Sequence, residues 1–183
     1  FANPQRVSQG VDPRRLAVVI AVLEKRTGLS LSGADVFVNV AGGIRLEEPA
    51  ADLGLALALA SSYRDAALPP DRIAVGEIGL GGELRPVPQL SRRLAEAERL
   101  GFRSAVVPKR IAPAESASAK GGSRIEIVYV SSAKASAVGI INALARALGV
   151  RTRRTALETS QRCLAVLRGK APLMLCCSGI VIP

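Results

Sequence analysis

Carboxylates and glycines crowd two short stretches of this chain, Glu47-Glu48-Pro49-Ala50-Ala51-Asp52-Leu53-Gly54 and Gly76-Glu77-Ile78-Gly79-Leu80-Gly81-Gly82-Glu83-Leu84-Arg85-Pro86-Val87. Glu47, Glu48 and Asp52 are oxygen donors that could gather a hard cation. Asp52, however, falls in what reads as the first turn of a helix, where an acid complements the dipole, and no metal site is expected. Glu77 lies between a short core strand and a glycine turn, and its simplest role is to bond the turn backbone. Gly42-Gly43 and Gly81-Gly82 lack the following Lys and Ser/Thr that grip a phosphate, so they read as tight turns. Ser61 and Ser62 have no lysine near in sequence to activate them. The chain has no histidine, which excludes Ser-His-Asp and Cys-His catalysis and any histidine metal site.

The second group with chemical potential is cationic. Arg85, Arg92, Arg93, Arg99, Arg103, Lys109 and Arg110 fall within 28 residues that also hold Glu83, Glu96 and Glu98. Arg92 and Arg93 stand at the start of a predicted helix, as do Arg14 and Arg15 of an earlier one, with Arg6 close by in sequence. A helix N-terminus disfavours cations, so the placement suggests a phosphate or a subunit contact, or else a solvated face. No aromatic residues interleave with these groups, so base stacking is not expected. Binding would be to backbone phosphates and independent of sequence.

The elements that must position these groups follow from local signals. Asp12-Pro13 is a helix start, Leu16, Val19, Ile20 and Leu23 follow at helical spacing, and Gly28 closes the segment. Residues 35–40 (DVFVNV) alternate like a strand. Residues 50–62 form a nearly all-apolar helix, buried on most sides. Residues 73–75 are a short buried strand, 79–82 a turn, and 83–87 its partner strand. Residues 89–100 make an amphipathic helix with Leu90, Leu94 and Ala97 inward and Arg92, Arg93, Glu96 and Arg99 outward. Residues 104–107 and 125–130 are core strands, and a last helix runs from Ser131 or Ser132 to Leu148. Strands alternating with helices indicate an α/β fold of layered type.

The 183 residues suffice for one domain with a core. That core must be built from Leu, Val, Ile and Ala, since the chain has three Phe, two Tyr and no Trp. Twenty-five Lys+Arg against fifteen Asp+Glu give a net charge of +10, which fits a polyanion partner or a codon bias toward Arg and Ala. Cys163, Cys176 and Cys177 fit neither a disulfide framework nor a zinc knuckle, and a reducing cytoplasm is the expected compartment. No signal-like region opens the chain and no apolar run is long enough to span a bilayer, so no membrane partner is expected. Without an initiator Met, the chain is expected to be one domain of a longer protein. We divide it into a domain over 1–149 and a basic, then apolar, tail over 150–183 that we leave unassigned.

The two acid- and glycine-rich stretches resemble the active-site segments of the Lon-type protease domain, in which the first carries a nucleophilic serine and the second is followed by a lysine base. Here the serine position is Ala50 and the lysine position is Ser91. The resemblance therefore implies the Lon-protease proteolytic-domain-like fold, also met in the second domain of a small-subunit ribosomal protein, with the catalytic dyad removed. Further stretches include Phe1-Ala2-Asn3-Pro4-Gln5-Arg6, Val40-Ala41-Gly42-Gly43-Ile44, Ala60-Ser61-Ser62-Tyr63-Arg64-Asp65 and Leu100-Gly101-Phe102. Together with the first two, they resemble the C-terminal Lon-like domain of the RadA (Sms) family of bacterial DNA repair proteins, over about residues 1–149.

That resemblance implies a scaffold that binds DNA and assembles with itself, as a hexamer, within an ATPase that works beside the strand-exchange recombinase in branch migration. It also implies a further strand before Phe1, whose absence would leave an open sheet edge. The chain carries neither the family's zinc motif nor a G-x-x-x-x-G-K-[ST] signature. We therefore expect it to be no enzyme and to hold no cofactor, with ATP and zinc confined to N-terminal parts outside it. Two alternatives stand beside this reading: a Ser/Lys-type peptidase with relocated residues, and an assembly module without DNA contact.

Overall fold

The computed structural model describes residues 3–109, 125–131 and 174–177. The predicted helix from 131 or 132 to 148, most of the predicted loop over 108–123, and Arg110 lie outside the described residues.

Strand β1 (Arg6–Gln9), helix α1 (Pro13–Thr27) and strand β2 (Val36–Val40) open the fold as a parallel βαβ unit, with Val7 in register with Phe37. Helix α1 is set by local chemistry. The Asp12 carboxylate accepts from the backbone N–H of Arg14 at 2.8 Å and of Arg15 at 3.0 Å, Pro13 takes the first helical position, and Gly28 ends the helix at φ 72°. Its stripe of Leu16, Val19, Ile20 and Leu23 is buried. Removing these four side chains from water contributes about 6–12 kcal/mol as an upper bound. Strand β2 turns Val36, Val38 and Val40 into the same core and points Phe37 and Asn39 to the other face. Strand β1 carries no predicted element, because Arg-Val-Ser-Gln over four residues has a single apolar side chain and no alternation to read.

A short 3-10 turn over Pro49–Ala51 leads into α2 (Asp52–Tyr63), whose Leu53, Leu55, Ala56, Leu57, Leu59 and Ala60 are buried around most of the circumference. Strand β3 (Arg72–Ala74) follows. Then comes an antiparallel hairpin of β4 (Glu77–Ile78) and β5 (Leu84–Arg85), shorter than the strand predicted over 83–87. Helix α3 (Leu90–Arg99), β6 (Ser104–Lys109) and β7 (Glu126–Ser131) complete a second, parallel sheet of order β3-β6-β7. Strand β8 (Met174–Cys177), from the stretch left unassigned by sequence, pairs in parallel with β2 and gives the first sheet the order β1-β2-β8.

Strand β6 explains why Ser-Ala-Val-Val shows no alternation. Val106 belongs to the cluster under α1 and α2, whereas Ala105 and Val107 belong to the cluster of Leu94, Ala97 and Ile125 on the side of α3. A strand covered on both faces needs apolar residues at every position. Strand β3 was expected to be fully buried, but its residues are only partly covered, as suits the outer strand of that sheet. No helix among the described residues is long and apolar enough to cross a membrane.

Asp12→Ala removes the acceptor for two helix N–H groups and should cost about 1 kcal/mol. A lowered urea midpoint with an unchanged m-value would report it; no shift would mean that the cap contributes nothing to α1.

Candidate functional site

The two acid- and glycine-rich stretches are laced together. Gly76 N–H donates to the Ala50 carbonyl at 2.8 Å and Leu53 N–H to the Gly76 carbonyl at 3.0 Å. A side chain at position 76 would meet Pro108 Cγ at 2.9 Å, so only glycine lets the segments approach this closely. Ala50 is buried at this junction and presents a methyl group where a nucleophile would need a hydroxyl, while Ser91 is exposed on the first turn of α3.

Asp52 is the centre of the junction. Only 4% of its side chain is exposed, and it does more than complement the α2 dipole. Its Oδ1 accepts from Arg15 Nε at 2.6 Å, and its Oδ2 accepts from Arg15 Nη2 and from the buried Ile78 N–H at 3.0 Å. This bidentate pair joins the starts of α1 and α2 to β4. The hydrogen bond to Asp52 raises the Arg15 pKa, with Glu77 adding a smaller favourable charge. Arg15 thus has a partner within the fold, which accounts for its place in a first helical turn.

Along the hairpin the charges alternate. Arg85 pairs with Glu77 at 3.1 Å and with Glu83 at 2.6 Å. Glu83, not Glu77, serves the turn: Gly79 N–H donates to the Glu83 carbonyl at 2.9 Å, and Gly82 N–H to the Gly79 carbonyl at 2.9 Å. The Glu83 carboxylate folds over the loop so tightly that a Cβ at Gly79 would lie 1.8 Å from its Oε1. Its own backbone N–H, and then Arg85 and the Gly81 N–H, hold the Glu83 carboxyl below the usual range. Gly82, at φ 81°, rests against the aliphatic stem of Arg26 from the end of α1.

The sequence-predicted cations separate into two groups. Arg15 and Arg85 are tied to the carboxylates just named. Arg93 was expected to point outward; it is only 16% exposed, donates to the Pro88 carbonyl at 3.1 Å, and pairs with Glu48 at 3.3 Å. It thereby holds the start of α3, where Gln89 adopts a left-handed φ of 55° without a side-chain cap, against the segment leading to Ala50. Arg99 pairs with Glu96 on the surface, which contributes little to stability. Arg6, Arg14, Arg92, Arg103 and Lys109 are exposed. Arg45 was missed by the sequence reading. It is exposed in the loop that Leu46 N–H ties to the Gly10 carbonyl at 2.7 Å, at the end of the first sheet from which α1 departs. The available signal was the glycine pair just before it.

The described residues hold fourteen Lys/Arg and thirteen Asp/Glu, so they carry +1 of the chain's +10, and residues 110–124 and 132–173 hold the other +9. Among the described residues, no group of three or more His, Cys, Asp and Glu side chains is placed to hold a metal ion. Glu47 is exposed and Glu48 engages Arg93, so the two do not converge with Asp52.

Residues 13–111 match the family described as subunit ChlI of Mg-chelatase. The chain is 53% identical over 120 residues to the DNA repair protein RadA of Synechocystis sp., covering 66% of this chain and 24% of that protein. It is 50% identical over 113 residues to RadA of Escherichia coli, covering 62% and 25%, and 44% identical over 108 residues to RadA of Bacillus subtilis, covering 59% and 24%. The chain spans about a quarter of the length of these curated relatives.

These findings correct two expectations. The match is to the family described as subunit ChlI of Mg-chelatase, so the reading of the chain as no enzyme, holding no cofactor and with ATP confined to parts outside it, is withdrawn. That reading rested on the missing G-x-x-x-x-G-K-[ST] signature. The signature's absence excludes one particular phosphate grip built from this chain's own residues and does not decide membership of the region.

Asp52→Ala would leave the Ile78 N–H and the Arg15 guanidinium without their acceptor. It should cost about 2–4 kcal/mol, with Asp52→Asn costing less because one carbonyl acceptor remains. Equal midpoints for the two variants in urea would contradict the role given to the carboxylate. Glu83, with its folded-state pKa depressed, adds stability that is fully present above the ordinary carboxylate range and is lost as pH falls through the folded-state value. Glu83→Gln should therefore weaken the acid dependence of the melting temperature, and an unchanged pH profile would remove Glu83 from this account.

Proposed function

Because the chain belongs to the family described as subunit ChlI of Mg-chelatase and is close in sequence to DNA repair proteins named RadA, we propose that it serves as scaffold and DNA-contact segment of a RadA-type DNA repair protein. The observation that carries this reading is identity of 44–53% over 108–120 residues. The working unit is residues 1–149, with strand β8 (Met174–Cys177) added to its first sheet, in a Lon-like arrangement whose serine position is filled by the methyl group of Ala50. The unit assembles with copies of itself, as a hexamer, and works in the cytoplasm beside the strand-exchange recombinase during branch migration.

The laced junction of Ala50, Asp52, Gly76 and Ile78 supports the scaffold role, since it fixes three elements without offering a nucleophile. The DNA contact falls to the exposed Arg6, Arg14, Arg45, Arg92 and Arg103, with Lys109 at the end of β6 and with Arg110, which lies outside the described residues. Arg15, Arg85, Arg93 and Arg99 are engaged with carboxylates of the fold and contribute less to it. The near balance of charge over the described residues favours a second reading, in which the segment assembles without touching DNA.

A salt titration of duplex binding separates the two. Arg14→Gln and Arg92→Gln each take away one phosphate-binding cation, so each should lower the slope of log K against log salt by about 0.9. An unchanged slope removes these arginines from the DNA surface, and failure of the parent chain to bind DNA at low salt removes the DNA reading altogether.

A further inference from the structure

Strand β2 is the middle strand of the first sheet, and its two edges are filled by distant parts of the chain. Val36 N–H donates to the Gln5 carbonyl at 2.8 Å, so Val36, Val38 and Val40 turn their backbone groups toward β1. Successive residues of a strand turn theirs to opposite sides. Phe37 and Asn39 therefore present their N–H and carbonyl groups to the edge that β8 occupies. Strand β1 reaches β2 through α1 alone, whereas β8 comes from the far end of the chain, beyond residues 132–173.

That second edge is costly to leave unpaired. Strand β2 gives Val36, Val38 and Val40 to the main core, and β8 lies beside α2. The family match covers residues 13–111, so the edge lies within the matched region and its occupant lies outside it. The demand for a strand thus belongs to the shared part of the fold, and Met174–Cys177 is one answer to it. The edge asks little of that answer. Its ladder is made by backbone groups over four residues, from Phe37 opposite Met174 to Val40 opposite Cys177. Residues in register share a sheet face, and Val38 and Val40 are buried, so an incoming strand needs apolar residues opposite those two.

We propose that this edge of β2 is a strand-accepting site for an extended polypeptide segment, apolar at the two positions opposite Val38 and Val40, and that Met174–Cys177 is the occupant in cis that closes it. The recognition is by strand addition, in which backbone hydrogen bonds give affinity and alternate side chains give selectivity. A segment from another polypeptide enters only where β8 has left, so β8 lowers its apparent affinity by the fraction of chains whose edge is vacant.

The test uses the full chain and its Leu175→Pro variant, which removes a backbone donor from β8. The probe is a labelled synthetic peptide of residues 172–179 carrying Cys176→Ser and Cys177→Val. The variant should bind it saturably, and the parent about tenfold more weakly or less, since β8 competes. The Phe37 and Asn39 amides should be protected from hydrogen exchange in the parent, exchange fast in the variant, and regain protection with peptide. Leu175→Gly weakens the strand while keeping its donor, and replaces the proline variant if circular dichroism shows that proline unfolds the chain. A folded variant that ignores the peptide would overturn the site. Equal binding by parent and variant, or by a peptide that itself carries Leu175→Pro, would overturn the assignment to this edge. Fast exchange of both amides in the parent would overturn the closed state.

Discussion

A carboxylate without water sets the terms for the rest of this molecule. Asp52 lies at the start of a helix so apolar that it must be enclosed, and an acid in that position is tolerable only if its oxygens are occupied. Arg15 and the Ile78 N–H occupy them, and in doing so they fix the relative placement of α1, α2 and the β4–β5 hairpin. The glycine at position 76 is a consequence of the same constraint. Once α2 is drawn against β4, the backbone before β4 runs beside Ala50 and Pro108 with no space for a Cβ.

The junction does not depend equally on all of its positions. The hydrogen bonds that lace Ala50 to Gly76 are made by backbone groups and do not depend on the side chain at position 50. The acid that stabilises the junction is two residues away and faces α1. A change at position 50 that fits its buried space therefore leaves the lacing intact, whereas a change at Asp52 or Gly76 reaches three elements at once.

What could be read from the sequence was what is decided locally. Helix α1 announced both of its ends, because Asp12, Pro13 and Gly28 act on backbone groups within four residues of themselves. The alternation of β2 and the apolar run of α2 were equally plain. What could not be read was decided across distance. Arg15 and Asp52 are 37 positions apart, so the cation looked unexplained and the acid looked like a dipole partner. Glu77 and Glu83 flank one turn and are chemically alike; only the folded hairpin shows that Glu83 closes over the glycines while Glu77 pairs sideways with Arg85. Net charge was equally silent about position. It is a property of the whole chain, and its excess resides outside the described residues. One missing motif could not decide the ChlI membership, which is recognised over residues 13–111 as a whole.

Strand β6 contributes Val106 to one apolar cluster and Ala105 and Val107 to the other, so it is the shared wall of both. A wall of that kind ties the fates of its two sides. Neither cluster can loosen without exposing the reverse face of the strand that supports its neighbour, which makes the two clusters a single cooperative unit. The amides of β6 should then be among the last to exchange with solvent, and a cofactor, tag or hinge introduced at that strand would be felt on both sides of the molecule at once.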